Sequence, residues 1–266
     1  MPAALNPVDL RELAVRLATA AGAELLARQQ SLSIDAAGVE TKSSVSDPVS
    51  AADRASEKLI TDGISAERPG DGLLGEEGAS RPSTTGLTWV IDPLDGTVNY
   101  LYGRLDWCVS IAVEDSNGAF AGVVHQPRTG TTWSATRDAG AYRDGERLGP
   151  RSRDRELATA LVSTGFSYLP ERRAEQAEYL RQLLPLVRDI RRGGSAALDL
   201  CSVADGTADA YYEHVIQPWD VAAGALIARE SGATVVRGPG TAFPQGILAA
   251  APSVAAPLLE LLRRSV

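Results

Sequence analysis

The sequence predicts an α/β (α+β) protein with helices layered on sheets, and three observations lead there. Residues 7–64 carry two segments of helical period separated by a polar, serine-rich stretch. Residues 107–136 form β-rich runs bounded by glycine, asparagine or proline. From residue 160 onward, short apolar runs alternate with helical segments. Such interleaving calls for a parallel or mixed sheet, whereas the β-rich runs call for a mostly antiparallel sheet with helices packed on it.

Each element follows from local signals. Asn6-Pro7, a cap followed by proline, opens the first helix, and Leu10, Leu13, Ala14, Leu17, Ala21 and Leu25 keep its period. The connection "VETKSSVSDPVS" leads to a second helix over about 50–64, with Ala52, Ala55, Leu59 and Ile60 inward, and "RPGDG" ends it. Strands are expected at "LLG", "LTWVI", "WCVSIAVE", "AFAGVVHQP" and "GTTWSAT", and Asp144-Gly145 marks a hairpin. The second half then reads strand "ALVST", helix 171–184, strand "VRDIRR", helix "SAALDLCSVA", strand "ADAYYE", helix "VAAGALIARESG", strands "ATVV" and "GILAAA", and a last helix. Residues 1–150 and 151–266 are thus expected as two halves of one compact unit.

Composition narrows the chemistry. With 44% apolar and 23% charged residues the chain is an ordinary globular protein, and a net charge of −8 argues against a nucleic-acid partner. No run approaches the roughly 18 apolar residues that span a bilayer, and no basic segment precedes an apolar core at the N-terminus, so a soluble cytoplasmic protein without a membrane partner is expected. Cys108 and Cys201 sit in apolar surroundings and read as reduced core residues. His125 and His214 stand near no G-x-S-x-G element, and no cysteine–histidine cluster suggests zinc. Catalysis, if present, falls to carboxylates.

The acids concentrate in "VIDPLDGTVNY". Asp92-Pro93-Leu94-Asp95 fits a type I turn, which would gather two carboxylates that repel unless a cation relieves them. Gly96-Thr97 could open a helix whose N–H groups cradle an anion, so hard oxygen ligands beside an anion cradle suggest magnesium and phosphate. A strand-ending turn whose aspartates cap backbone groups explains the same residues. An EF-hand is excluded, because Ile91 and Tyr102 stand where it needs acids, and Leu94 breaks the D-x-D-x-T pattern of aspartyl-phosphate enzymes. Nearby, Glu76 and Glu77 would face opposite sides if extended, so one of them could reach a metal; a solvated pair is the plain alternative. Asp220 is a plausible N-cap for the helix ended by Gly232, and "GGSAALDL" opens another helix with exposed N–H donors. Asp53 reads as part of a solvated helix face, and Lys42 alone carries no signal.

Taken in order, "KSSVSDPVSAAD", "GEEG", "WVIDPLDGTVNY", "GGSAALDLCSVADGTADAYYE" and "PWDVAAGALIARESGA" resemble the inositol monophosphatase family over roughly residues 10–250. The resemblance implies a layered αβαβα sandwich of the inositol monophosphatase/fructose-1,6-bisphosphatase type. It also implies a magnesium-dependent, lithium-sensitive phosphatase, commonly dimeric, with two to three Mg2+ per subunit. It places Glu76, Asp92 and the Leu94 carbonyl on a first magnesium and Asp92, Asp95 and Asp220 on a second, with a third near Glu76. It gives Thr97, partnered by Asp53 and helped by Glu76, the attacking water, and the N–H groups of Gly96 and Thr97 the phosphate. Gly194, Ser195, Ala196, Glu213 and Asp220 would meet sugar-alcohol hydroxyls, and Lys42 matches a basic position beside the metals; Glu77 completes the "GEEG" element. The half up to residue 150 would carry most metal ligands, the other half the substrate residues and Asp220. The chain departs from the family pattern at "YLYGRLDW" and at Gln217-Pro218, which flank the site. The implied reaction is hydrolysis of myo-inositol 1-phosphate. Fructose 1,6-bisphosphate, histidinol phosphate and 3′-phosphoadenosine nucleotides are the alternative substrates, and an added regulatory binding role is a further possibility.

Overall fold

The computed structural model describes residues 7–30, 40–41, 48–49, 51–149, 155–238 and 245–263. The chain begins with α1 (Pro7–Gln29), a two-stranded ribbon of β1 (Glu40–Thr41) and β2 (Pro48–Val49), and α2 (Ala51–Glu67). The first sheet is built from β3 (Gly72–Gly75), β4 (Ser80–Arg81), β5 (Thr88–Asp95), β6 (Cys108–Asp115), β7 (Gly118–Gln126), β8 (Thr131–Thr136), β9 (Gly140–Arg143) and β10 (Glu146–Arg147), with α3 (Thr97–Leu101) after β5. Its order is β10-β9-β8-β7-β6-β5-β3-β4, antiparallel except for the β3–β5 pair. The hairpin expected at Asp144-Gly145 forms, with φ positive at both residues as a type I′ turn requires.

The second half continues with β11 (Leu161–Thr164), α4 (Pro170–Leu183), β12 (Asp189–Arg191), α5 (Ala196–Asp205), β13 (Ala210–Glu213), α6 (Pro218–Glu230), β14 (Thr234–Arg237), β15 (Ile247–Ala250) and α7 (Pro252–Arg263). Its sheet runs β12-β11-β13-β15-β14, parallel at the β12–β11–β13 side and antiparallel at β15. The mixed sheet expected from the alternation is therefore present.

Five layers result, as expected. Helices α1 and α2 cover one face of the first sheet through Leu13, Ile60, Trp89 and Ile111. Helices α5 and α6 fill the space between the sheets, meeting the first through Val124 and Ala223 and the second through Tyr211 and Ala249. Helices α4 and α7 close the outer face through Leu183 and Leu258. Helix α6 is buried at every position from Val221 to Ala228, which explains why its sequence lacks a polar stripe.

Two local expectations change. The inner face of α2 is Ala52, Asp53, Ser56, Glu57, Ile60 and Ile64, so Asp53 is buried rather than solvated and Ala55 is only half-buried. The period was right, but the buried stripe includes polar residues that serve the site. Asp92–Asp95 is also not a turn: β5 runs through it, and the ladder to β6 shifts register, with Asp92 opposite Ser110 and Asp95 opposite Cys108. Pro93 has no N–H to give the ladder, and Leu94 N donates to Asp92 Oδ1 at 3.0 Å instead.

The seat of α6 on the sheet can be tested at Gly122. A Cβ there would lie 3.0 Å from Ala223 Cα and 3.1 Å from its carbonyl. Gly122→Val is expected to lower stability by ~1–3 kcal/mol, read as a reduced Tm. An unchanged melting curve would show that the helix does not press on the strand there.

Candidate active site

The bulge decides which way the acids point. Residues three apart on a regular strand face opposite sides. Here Asp92 and Asp95 oppose Ser110 and Cys108, which are two apart on β6 and so share a face, and the extra residue in β5 puts both aspartates on that face too. It is the face covered by α5 and α6: Ser110 Oγ lies 3.5 Å from Trp219 O, and Cys108 Sγ lies 3.5 Å from Ser195 Oγ. Both aspartates open into a cavity of about 600 Å3 between the halves, lined also by Glu76, Thr97, Glu213 and Asp220.

Each acid is held by one identified oxygen or by its backbone. Asp92 Oδ1 accepts from Leu94 N. Asp95 Oδ2 accepts from Ser195 Oγ at 2.6 Å and Ala197 N at 2.8 Å. Asp220 Oδ2 accepts from Gln217 N at 2.8 Å. Asp220 is therefore not the expected N-cap. Gln217 is the cap, Pro218 starts the helix, and Asp220 reaches back from the third helical position as half of a capping box. Glu76 follows β3 and faces the cavity, its N–H bonded to Ile91 O at 3.1 Å. Glu77 does not line the cavity. Its N–H donates to Glu57 Oε2 at 2.9 Å, and Ala79 N donates to Glu57 Oε1 at 3.0 Å, so α2 holds the glutamate loop through Glu57.

The expected Thr97–Asp53 pair is present. Buried Thr97 Oγ1 lies 3.2 Å from Asp53 Oδ1 and 3.1 Å from Leu94 O. Gly96, with φ 89°, caps α3, and a Cβ there would lie 2.8 Å from Asp106 O, so only glycine fits this corner. Lys42 lies outside the described residues.

The electrostatics follow from crowding. Burial, then the charges of Glu76, Asp95 and Asp220, push Asp92 well above the usual carboxylate range. Burial and the charge of Asp95 do the same to Asp220. Asp95 rises to about 6 through burial, held back by the donors of Ser195, Ala197 and Ala196. Such groups bind a positive charge, proton or metal, to offset their repulsion. Among the described residues no three His, Cys, Asp or Glu side chains already close on one point as a finished metal cage would. The donor set nevertheless fits a hard dication: carboxylate oxygens and a backbone carbonyl, with no cysteine or histidine among the described residues that line the cavity.

The cavity is also lined by Gly194, Ala196, Glu213, Arg192 and Asp199. Tyr211 Oη donates to Glu213 Oε2 at 2.7 Å, and Gly165 packs so closely on that carboxylate that a side chain there would displace it. Burial lifts Glu213 to about 7, opposed by Tyr211 and Arg192. Asp199, in the first turn of α5, rises to about 8 through burial, opposed by its hydrogen bond to Ser163. Sequence reasoning missed Glu57, Arg192 and Asp199. Glu57 was findable four residues after Asp53 on one helical face; Arg192 had no local signal.

Asp199 gives a pH prediction. Below about pH 4 it is protonated in both folded and unfolded chains; between about 4 and 8 the unfolded chain loses the proton first, so stability falls as pH rises through that window. Asp199→Asn removes this loss. At pH 8 the variant is expected to gain more than ~1 kcal/mol over wild type, about 2–4 °C in Tm, with the gain vanishing near pH 4. Parallel curves at all pH values would contradict the shift.

Comparison with known proteins agrees with this fold. A Mycobacterium tuberculosis protein described as inositol-1-monophosphatase SuhB is 44% identical over 276 residues, 97% of this chain and 95% of that one. A Xylella fastidiosa protein described as Nus factor SuhB is 41% identical over 200 residues, 75% of this chain and 72% of that one. The crystal structure of the Bartonella henselae extragenic suppressor protein suhB superposes with a TM-score of 0.89 at 33% identity, covering 97% of this chain and 100% of that chain. The profile of the inositol monophosphatase family matches residues 6–266, and the chain belongs to that family.

Proposed function

We propose that this chain is a magnesium-dependent phosphate monoester hydrolase whose substrate is myo-inositol 1-phosphate. The observation that carries the proposal is the bulge-driven gathering of Asp92 and Asp95 on one face, with Glu76 and Asp220 lining the same cavity. Glu76, Asp92, Asp95, Asp220 and the Leu94 carbonyl would hold two to three Mg2+. Bound there, the ions would supply an acidified water and neutralise charge on the phosphoryl and leaving oxygens. Without them, the acids of the cluster that stay ionised would repel the phosphate dianion, so substrate affinity itself depends on magnesium.

The remaining steps belong to the protein. The Thr97 hydroxyl, donating to Asp53, can accept a hydrogen bond from the attacking water and orient it in line with the phosphorus. Glu76 assists from the cavity wall, and the N–H groups of Gly96 and Thr97 face the phosphate. The alcohol rests against Gly194, Ala196, Glu213 and Asp220. The Glu213 carboxylate, where ionised, opposes a second phosphate there, which favours a neutral polyol over a bisphosphate. Attack by water is direct, and a trapped phosphorylated side chain would refute it. A homodimer, a cytoplasmic location and lithium sensitivity belong to the same proposal.

The relative described as a Nus factor supports a second reading, an added regulatory binding role on the same fold. Asp95→Asn separates the two, since turnover should vanish while partner binding stays.

The decisive assay is kcat/KM across a panel of phosphate monoesters with and without Mg2+. The inositol ester is expected to rank first and only with the metal. Asp92→Asn and Asp220→Asn should each lose ~100-fold or more while remaining folded, because several kcal/mol of charge stabilisation go with the ions. Magnesium-independent turnover, or full activity in both variants, would count against the assignment.

A further inference from the structure

We infer that Ser195 is a positioning residue for Asp95: its buried hydroxyl pins one carboxylate oxygen of that acid to the N-terminus of α5 and leaves the other for a cation. The inference rests on the magnesium site proposed above. The resemblance had placed Ser195 among groups that meet the substrate's hydroxyls. The hydrogen-bond inventory of the hydroxyl points elsewhere.

A serine hydroxyl has one proton to donate and two acceptor sites. The proton goes to Asp95 Oδ2 at 2.6 Å, a short bond of the charge-assisted kind. One acceptor site takes Leu198 N at 3.2 Å, the N-cap bond of α5. Cys108 Sγ lies 3.5 Å from Ser195 Oγ and 3.9 Å from Asp95 Oδ2. With the serine proton committed, the thiol is the donor in this trio, to Ser195 Oγ or to Asp95 Oδ2. The one proton of the hydroxyl is thus spoken for, and Ser195 is only 2% exposed. It has no proton left to donate to a substrate.

Asp95 gains what Ser195 cannot offer elsewhere. Its Oδ2 also accepts from Ala197 N at 2.8 Å, so a side-chain donor and a main-chain donor converge on one oxygen. These two bonds, with the Ala196 main chain as a further donor to the carboxylate, restrict its rotation more than any one of them alone. Asp95 belongs to the first sheet, and its partners begin a helix 100 residues further along. The contact therefore sets how the metal-bearing strand sits against the helix that carries the alcohol end. Partners of this kind, one shell out from a metal, typically govern affinity by 10–100-fold.

Three variants and one probe test this. Glycine is itself a tolerated N-cap, so S195G removes the donor while sparing the helix, and S195T returns a donor at the same place. S195A, measured alongside, guards against loss of fold in the glycine variant, and thermal melts report on all three. Calorimetric titration of the substrate-free protein with Mg2+ is expected to show affinity reduced about tenfold or more in S195G and S195A and largely recovered in S195T. KM for the ester at saturating Mg2+ should hardly move. Wild-type metal affinity in S195G with a raised KM would overturn the inference and return the hydroxyl to substrate binding. Equal loss in S195G and S195T would overturn it too, by reducing the effect to packing. Absence of Mg2+ binding by the wild-type protein would instead sink the proposed function along with it.

Discussion

Repulsion among recessed carboxylates is the constraint on which this structure turns. Asp92, Asp95, Asp220 and Glu76 face one cavity, and the first three bind protons more tightly than an aspartate in water. Folding alone gains nothing from such a cluster, since each acid would be more stable apart. The chain spends local order to keep them together: a bulge, a capping box and the donors of α5. An arrangement that costs stability and concentrates hard oxygen donors suits a protein that offsets the charge with a bound cation.

The rest of the architecture serves that cluster. The first sheet supplies Asp92 and Asp95, the loop after β3 supplies Glu76, and α6 brings Asp220 from the other half. Helix α2 backs the assembly with buried Asp53, Ser56 and Glu57, which reach Thr97, the Pro93 carbonyl and the glutamate loop respectively. Within the same cavity, Arg192 moderates Glu213 and Asp199. The cavity thus brings the four acids together with Glu213, Asp199 and one guanidinium.

Much of this could be read before any coordinates. Helices layered on sheets followed from periodicity and the five layers from the resemblance, and the acid segment was visible as a concentration of charge behind an apolar run. What the sequence hid was geometry. Asp92–Asp95 has the composition of a type I turn, but the ladder to β6 outweighs local preference and makes a bulge instead, with the same effect of bringing both acids to one side. Asp53 looked solvated because a polar residue on a helix usually is; only tertiary packing shows that α2 turns a polar stripe inward. Asp220 sits three residues beyond the cap because Pro218 fixes where the helix starts. Asp199 and Arg192 are ordinary in sequence and matter only because α5 and β12 end at the cavity.

Anomalous diffraction from crystals grown with Mn2+ and an inositol phosphate ester probes the convergence itself. Peaks within ligation distance of Asp92, Asp95 and Asp220 together, with the phosphoryl group touching them, are the expected result. A cavity without metal, or an Asp220 carboxylate lying beyond reach of ions held at the Asp92–Asp95 bulge, would contradict the entire scheme.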